Sequence, residues 1–126
     1  MDQLTANEMM LVSHLGYSLY REGQYGKAIA LFEGLRELDP DYPQTHSALA
    51  VLYHLTERKE EALQEAIAAL KANPQDVPLL LTLGEIYLSL GQAANARDIL
   101  NRAYLEAQRI DHPAAARILL LLHSNP

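Results

Sequence analysis

The chain has no cysteine, no tryptophan and a single phenylalanine, Phe32. Without thiols there are no disulfides, no thiolate nucleophile and no cysteine-ligated zinc. Positive charge is also scarce. With 10 basic against 16 acidic residues the formal net charge is -6, which repels phosphate backbones and anionic lipid. Nucleic acid is therefore not an expected partner. Long apolar runs are missing as well, and the opening MDQLTANEMM has neither the basic region nor the apolar stretch of a secretory signal. Membrane insertion is not expected, and a cytoplasmic location is.

The constellations of catalysis are equally sparse. Five histidines are present, His14, His46, His54, His112 and His123, but none is spaced as a metal ligand pair. His46 and His54 would lie two helical turns apart, roughly 12 Å, too far to share an ion. Ser13, Ser18, Ser47 and Ser89 sit in helical patterns without the strained turn that presents a nucleophile. No glycine-rich phosphate loop occurs. No catalytic residue, metal site or cofactor is expected, and the chain reads as a non-enzyme.

What is present is a repeat. Shifting the chain by 34 residues superposes Ala28, Ala62 and Ala96; Leu15, Leu49 and Leu83; Gly16, Ala50 and Gly84; and Leu35, Ala69 and Ala103. Pro40 and Pro74 also align. Each unit shows two stretches of apolar residues at helical spacing. The first stretches run through Val12, Leu15 and Leu19; Leu49, Leu52 and Tyr53; and Leu80, Leu83 and Tyr87. The second run through Ala28, Leu31, Phe32 and Leu35; Ala62, Ala66 and Ala69; and Ala96, Leu100 and Ala103. Small residues at Gly16 or Gly84 and at Ala28 or Ala96 permit close approach of the paired helices, with Phe32 and Leu100 filling the space beside the contact.

Local signals place the boundaries. Thr5 and Glu8 form a capping-box pattern that starts a helix near residue 6. Asp41, Asp76 and Asp111, each followed by a nearby proline, are expected helix caps. Gly23 and Gly91 are expected to end the first helices of their units, and Thr56 to cap the helix that follows it in the middle unit. The expected organisation is one domain over 1–126, with repeats at about 9–42, 43–76 and 77–110 and a terminal helix at about 113–124.

These residues resemble the tetratricopeptide repeat family. The likeness rests on Leu15-Gly16, Ala28, Phe32 and Pro40 in the first unit, Leu49, Tyr53, Ala62 and Pro74 in the second, and Leu83-Gly84, Tyr87 and Ala96 in the third. It implies an all-α fold, a right-handed superhelical array of three helical hairpins closed by a C-terminal capping helix. The usual early aromatic is replaced by Val12, His46 and Leu80, and the closing proline of the third unit by Gln108.

The same resemblance implies a concave wall made by the first helix of each unit. In this register its side chains are Met10, Ser13, Tyr17 and Tyr20; Gln44, Ser47, Val51 and His54; and Leu81, Glu85 and Leu88. The family members that grip the acidic tails of heat-shock chaperones use a clamp of lysine, asparagine and arginine. The matching positions here are Ser13, Tyr17, Ala48, Pro78 and Thr82, none of which can neutralise a carboxylate. An apolar segment of a protein or peptide client fits that wall better. In length, acidity and groove character the chain resembles the small tetratricopeptide chaperones of bacterial type III secretion. The alternative is a general scaffold or assembly adaptor that self-associates as a homo-oligomer. In that case the leucine-rich tail, through Leu119 and Leu122, is the expected second interface.

Overall fold

A computed structural model of the chain describes residues 4–124. Seven helices follow one another within them: α1 Ala6–Arg21, α2 Tyr25–Leu38, α3 Pro43–Leu55, α4 Lys59–Ala72, α5 Val77–Ser89, α6 Ala93–Arg109 and α7 Ala115–Ser124. No strand occurs among the described residues. Helices α1 and α2, α3 and α4, and α5 and α6 pack as hairpins, and each second helix also packs on the first helix of the next unit. The result is an all-α, right-handed superhelical stack, with α7 lying on α6.

The ends of the helices follow from local chemistry. The Thr5 hydroxyl accepts from the Glu8 amide at 3.1 Å, and the Glu8 carboxylate accepts from the Thr5 amide at 2.8 Å, so α1 begins with the reciprocal cap its sequence calls for. At the end of α1 the Gly23 amide donates to Tyr20 O and the Gln24 amide to Leu19 O. The same paired bonds close α3 at Glu57 and Arg58, and α5 at Gly91 and Gln92. This closure needs a left-handed residue, with φ of 77° at Gly23, 64° at Glu57 and 74° at Gly91. The middle unit thus makes the same turn with a glutamate that its neighbours make with glycine.

Three capping expectations fail. Thr56 does not cap α4, because its hydroxyl donates back to Leu52 O at 2.8 Å and satisfies the end of α3 instead. Asp76 caps α5 through the Leu79 amide, but Asp41 does not cap α3, whose N-cap is Tyr42. Asp111 occupies the left-handed turn that ends α6, at φ 54°, and the terminal helix starts at Ala115 rather than near 113.

Inside the hairpins the small and large residues interlock. Ala28, Ala62 and Ala96 are all but fully buried, as are Leu35, Ala69 and Ala103. A Cβ placed on Gly16 would lie 2.5 Å from the Phe32 ring, and one on Gly84 would lie 2.5 Å from Leu100. Those two glycines are therefore required by the ring and the leucine that press on them. Helix α5 feeds two apolar clusters at once: Leu79, Leu83 and Ile86 join the core of the first two units, while Val77, Leu80 and Leu81 join Leu100, Ala103, Ala107 and Ile118.

Leu15 departs from its repeat partners. Leu49 and Leu83 are 0% and 1% exposed, but Leu15 is 55% exposed. The two internal leucines are covered by the second helix of the preceding unit, and no described helix precedes α1.

A buried polar knot ties three helices together. Glu65 of α4 accepts from Arg36 of α2 at 2.6 Å and lies 3.1 Å from Nδ1 of His46 on α3, whose Nε2 donates to the Pro40 carbonyl at 2.6 Å. A carboxylate as enclosed as Glu65 is tolerated only when paired and hydrogen-bonded in this way. His46 is thus a packing histidine.

Candidate protein-binding groove

The first and second units form an apolar cavity of about 230 Å³ that opens to the surface. Tyr17 and Tyr20 reach it from α1, Phe32 from α2, and Ser47, Ala48, Val51 and Leu52 from α3. The repeat positions these groups. Gly16 lets the Phe32 ring lie against α1, and that ring meets Tyr17 at 5.4 Å between centroids, tilted by 58°. Tyr20 leans on Tyr25 at 5.9 Å. Both aromatic pairs lie in the favourable range for tilted rings, so the wall is held by side chains that already support one another.

Burial raises the Tyr17 hydroxyl above its ordinary pKa, with a smaller contribution from nearby Tyr42. That direction fits a cavity poor in water. Its lining holds no carboxylate, imidazole or amine. At this volume it falls below the roughly 300–1,000 Å³ of a small-molecule site, and it matches an apolar side chain offered by a larger partner. Removing apolar surface from water there contributes about 25 cal/mol per Å².

Of the side chains expected on the concave wall, Tyr17, Tyr20, Ser47 and Val51 come together around this cavity. Ser13 and Leu81 do not offer accessible surface: they are 6% and 8% exposed. Leu81 is drawn into the α5–α7 core, and the Ser13 hydroxyl is enclosed without a protein partner. Met10 and Gln44 are exposed, while His54 and Leu88 are half-buried. Glu85 is held by Arg117 of α7 at 2.7 Å, so the terminal helix neutralises the one carboxylate expected on the wall. In the tail, Ile118 is fully buried, Leu119 and Leu120 are exposed at 36% and 67%, and Leu122 is half-buried.

Phe32 and Leu52 were not among the expected wall residues, because their apolar spacing assigns them to packing, and Ala48 was named only as a position where the carboxylate clamp is missing. They do pack, and they also form the floor. The signal in the sequence was the pairing of Gly16 with Phe32, which brings a second-helix ring up to the first-helix wall.

Behind the groove, Tyr53 donates to Glu33 at 2.5 Å, and Arg58 lies over its ring at 4.4 Å. Desolvation first, and then the Glu33 carboxylate, push the Tyr53 phenol up to about 12. Tyr53 is a core group whose hydroxyl alone reaches a polar partner.

A stack of helical hairpins with an apolar groove lined by its first helices defines a helical-repeat binding protein. The chain belongs to the tetratricopeptide repeat family, whose profile matches residues 19–78 and 59–122. It is 35% identical over 86 residues to the TPR repeat-containing thioredoxin TTL4 of Arabidopsis thaliana, which covers 68% of this chain and 13% of that protein. The chain spans about an eighth of the length of such curated relatives.

Among solved structures the fold is similar to PcrH in complex with the chaperone binding region of PopD, with a TM-score of 0.90 at 23% identity, covering 98% of this chain and 96% of that one. The Yersinia enterocolitica type III secretion translocator chaperone SycD is similar with a TM-score of 0.84 at 16% identity, covering 95% and 91%. At these identities the likeness is one of fold. Among the described residues no helix is long and apolar enough to cross a membrane.

Proposed function

We propose that the chain is a non-enzymatic chaperone of the type III secretion kind, which holds an apolar, sparsely charged segment of a secretion component in its groove within the cytoplasm. The observation that carries this reading is the apolar cavity between α1, α2 and α3, ringed by Tyr17, Tyr20 and Val51. The overall likeness to PcrH, a protein solved with the chaperone binding region of PopD, supports it over nearly the full length of both chains. So does the lack of lysine, asparagine and arginine at Ser13, Tyr17, Ala48, Pro78 and Thr82, which argues against recognition of a terminal carboxylate. Covering an aggregation-prone segment requires desolvation and shape, which this lining supplies, and no bond need be made or broken.

The test compares the wild type with a Tyr17→Glu, Val51→Glu variant in pull-downs from the native host, read by mass spectrometry. One secretion component recovered with the wild type and lost with the variant, at unchanged helical circular dichroism, is the expected result. Equal recovery with both proteins would overturn the groove assignment. Recovery of only housekeeping assemblies would favour the scaffold or adaptor reading.

A further inference from the structure

Tyr17, Val51 and Glu85 occupy one register position, 34 residues apart on α1, α3 and α5. They form a row along the wall, one side chain per unit. Tyr17 and Val51 stand at the apolar cavity, and Glu85 follows one unit further on. It is the only carboxylate on the expected wall, and its side chain is 26% exposed. Arg117 of α7 makes a single contact with it, Nη2 to Oε2 at 2.7 Å, and Oε1 accepts no hydrogen bond among the described residues. The arginine itself is 64% exposed, and a pair held so far out in solvent is weak and screened by salt.

On the reading that this groove holds a client, we propose that Glu85 is its specificity-determining residue. It selects a client segment that carries one cationic side chain beside its apolar anchor, and Arg117 stands in for that cation while the groove is empty. A segment laid along the row covers Glu85 and removes its water. A carboxylate so covered needs a charge-assisted partner. Arg117 supplies this poorly, through one contact and from the solvent side. A cation on the client arrives together with the surface that covers the carboxylate. The net charge of -6 also draws a basic segment in, and no lysine or arginine on the expected wall repels it.

The spacing follows from the stack. Neighbouring helices lie about 8–10 Å apart, which puts Glu85 about 12–15 Å from the middle of a cavity that lies between α1 and α3. An extended segment rises about 3.3 Å per residue, so the cation belongs about four residues from the anchor.

Selection of a displayed library of random peptides, about twelve residues long so as to span the row, tests the proposal. The wild type is expected to enrich an apolar residue with lysine or arginine about four positions away. Glu85→Gln should keep the apolar preference and lose the basic one, and Glu85→Lys should replace it with aspartate or glutamate at the same spacing. If Glu85→Lys loses helical circular dichroism, the near-isosteric Glu85→Gln carries the test. For a selected peptide in solution, Glu85→Gln is expected to weaken binding about two- to ten-fold and Arg117→Gln to tighten it about two- to five-fold, both less so at high salt. An apolar preference without a basic one, a basic preference untouched by Glu85→Gln, or weaker binding by Arg117→Gln would overturn the proposal and leave the groove reading standing. Peptides without an apolar anchor, or indifferent to Tyr17→Glu, Val51→Glu, would overturn both.

Discussion

Helices α1 and α5 occupy the same place in their units and carry leucine at the same two register positions. Leu79 and Leu83 of α5 are buried, whereas Leu11 and Leu15 of α1 stand mostly in solvent. Helix α5 is packed between the second helix before it and its own partner, whereas among the described residues no second helix precedes α1, which packs mainly on α2. Burial in a stack of hairpins is thus a property of position as much as of residue type, since each unit covers only its neighbours.

The comparison breaks most sharply at the two leucines. Leu83→Ala is expected to cost about 2–5 kcal/mol in urea unfolding, because it leaves a cavity in the centre of the stack. Leu15→Ala, measured in protein dilute enough to be monomeric, should change stability by less than about 0.5 kcal/mol. Equal losses would mean that α1 is covered by something other than the described helices.

A second contrast lies between glycines on paired helices. Gly16→Ala forces a methyl group into the Phe32 ring and is expected to cost about 1–3 kcal/mol. It should also weaken the client binding proposed above, since Phe32 floors the cavity. Gly34 faces open space inside α2, so Gly34→Ala should raise stability by about 0.5–1 kcal/mol through its better helix propensity. Opposite signs in the same denaturation series would sharpen the packing argument, and equal signs would refute it.

A third contrast concerns the turns. Glu57 adopts the left-handed conformation that Gly23 and Gly91 adopt in the outer units. Glu57→Gly relieves the Cβ contact while freeing the unfolded chain, and a net gain of about 0.5–1 kcal/mol is expected from thermal or urea melts. A loss would show that the glutamate side chain contributes more than its exposed position implies.

Much of the fold was legible because it depends on residue size at a fixed period. Gly16 against Phe32, Gly84 against Leu100, and the Ala28, Ala62 and Ala96 series were visible as alternations of small and large, and the structure places each in contact or in the core. The groove was legible in part. Tyr17, Tyr20, Ser47 and Val51 meet at one cavity, but Ser13 and Leu81 turn inward, because the stagger between adjacent hairpins decides which edge of a helix is sealed. The knot of Arg36, His46 and Glu65 joins residues 19 to 29 positions apart, and no periodicity marks such a meeting. Thr56 illustrates a local ambiguity: one hydroxyl served two adjacent helix ends, and the nearer carbonyl of Leu52 took it.

The sequence by itself determined the helices, their pairing into hairpins and the glycine contacts, because these rest on spacing and side-chain volume within one unit. It also showed that the positions expected on the wall carry no lysine, arginine or asparagine clamp, since that is a matter of residue type at each position. Only the tertiary structure decided which leucines are buried, which wall residues line a cavity and which carboxylates are paired. Each of those depends on what the neighbouring unit places opposite, and a stack supplies that neighbour to its inner helices and withholds it from α1.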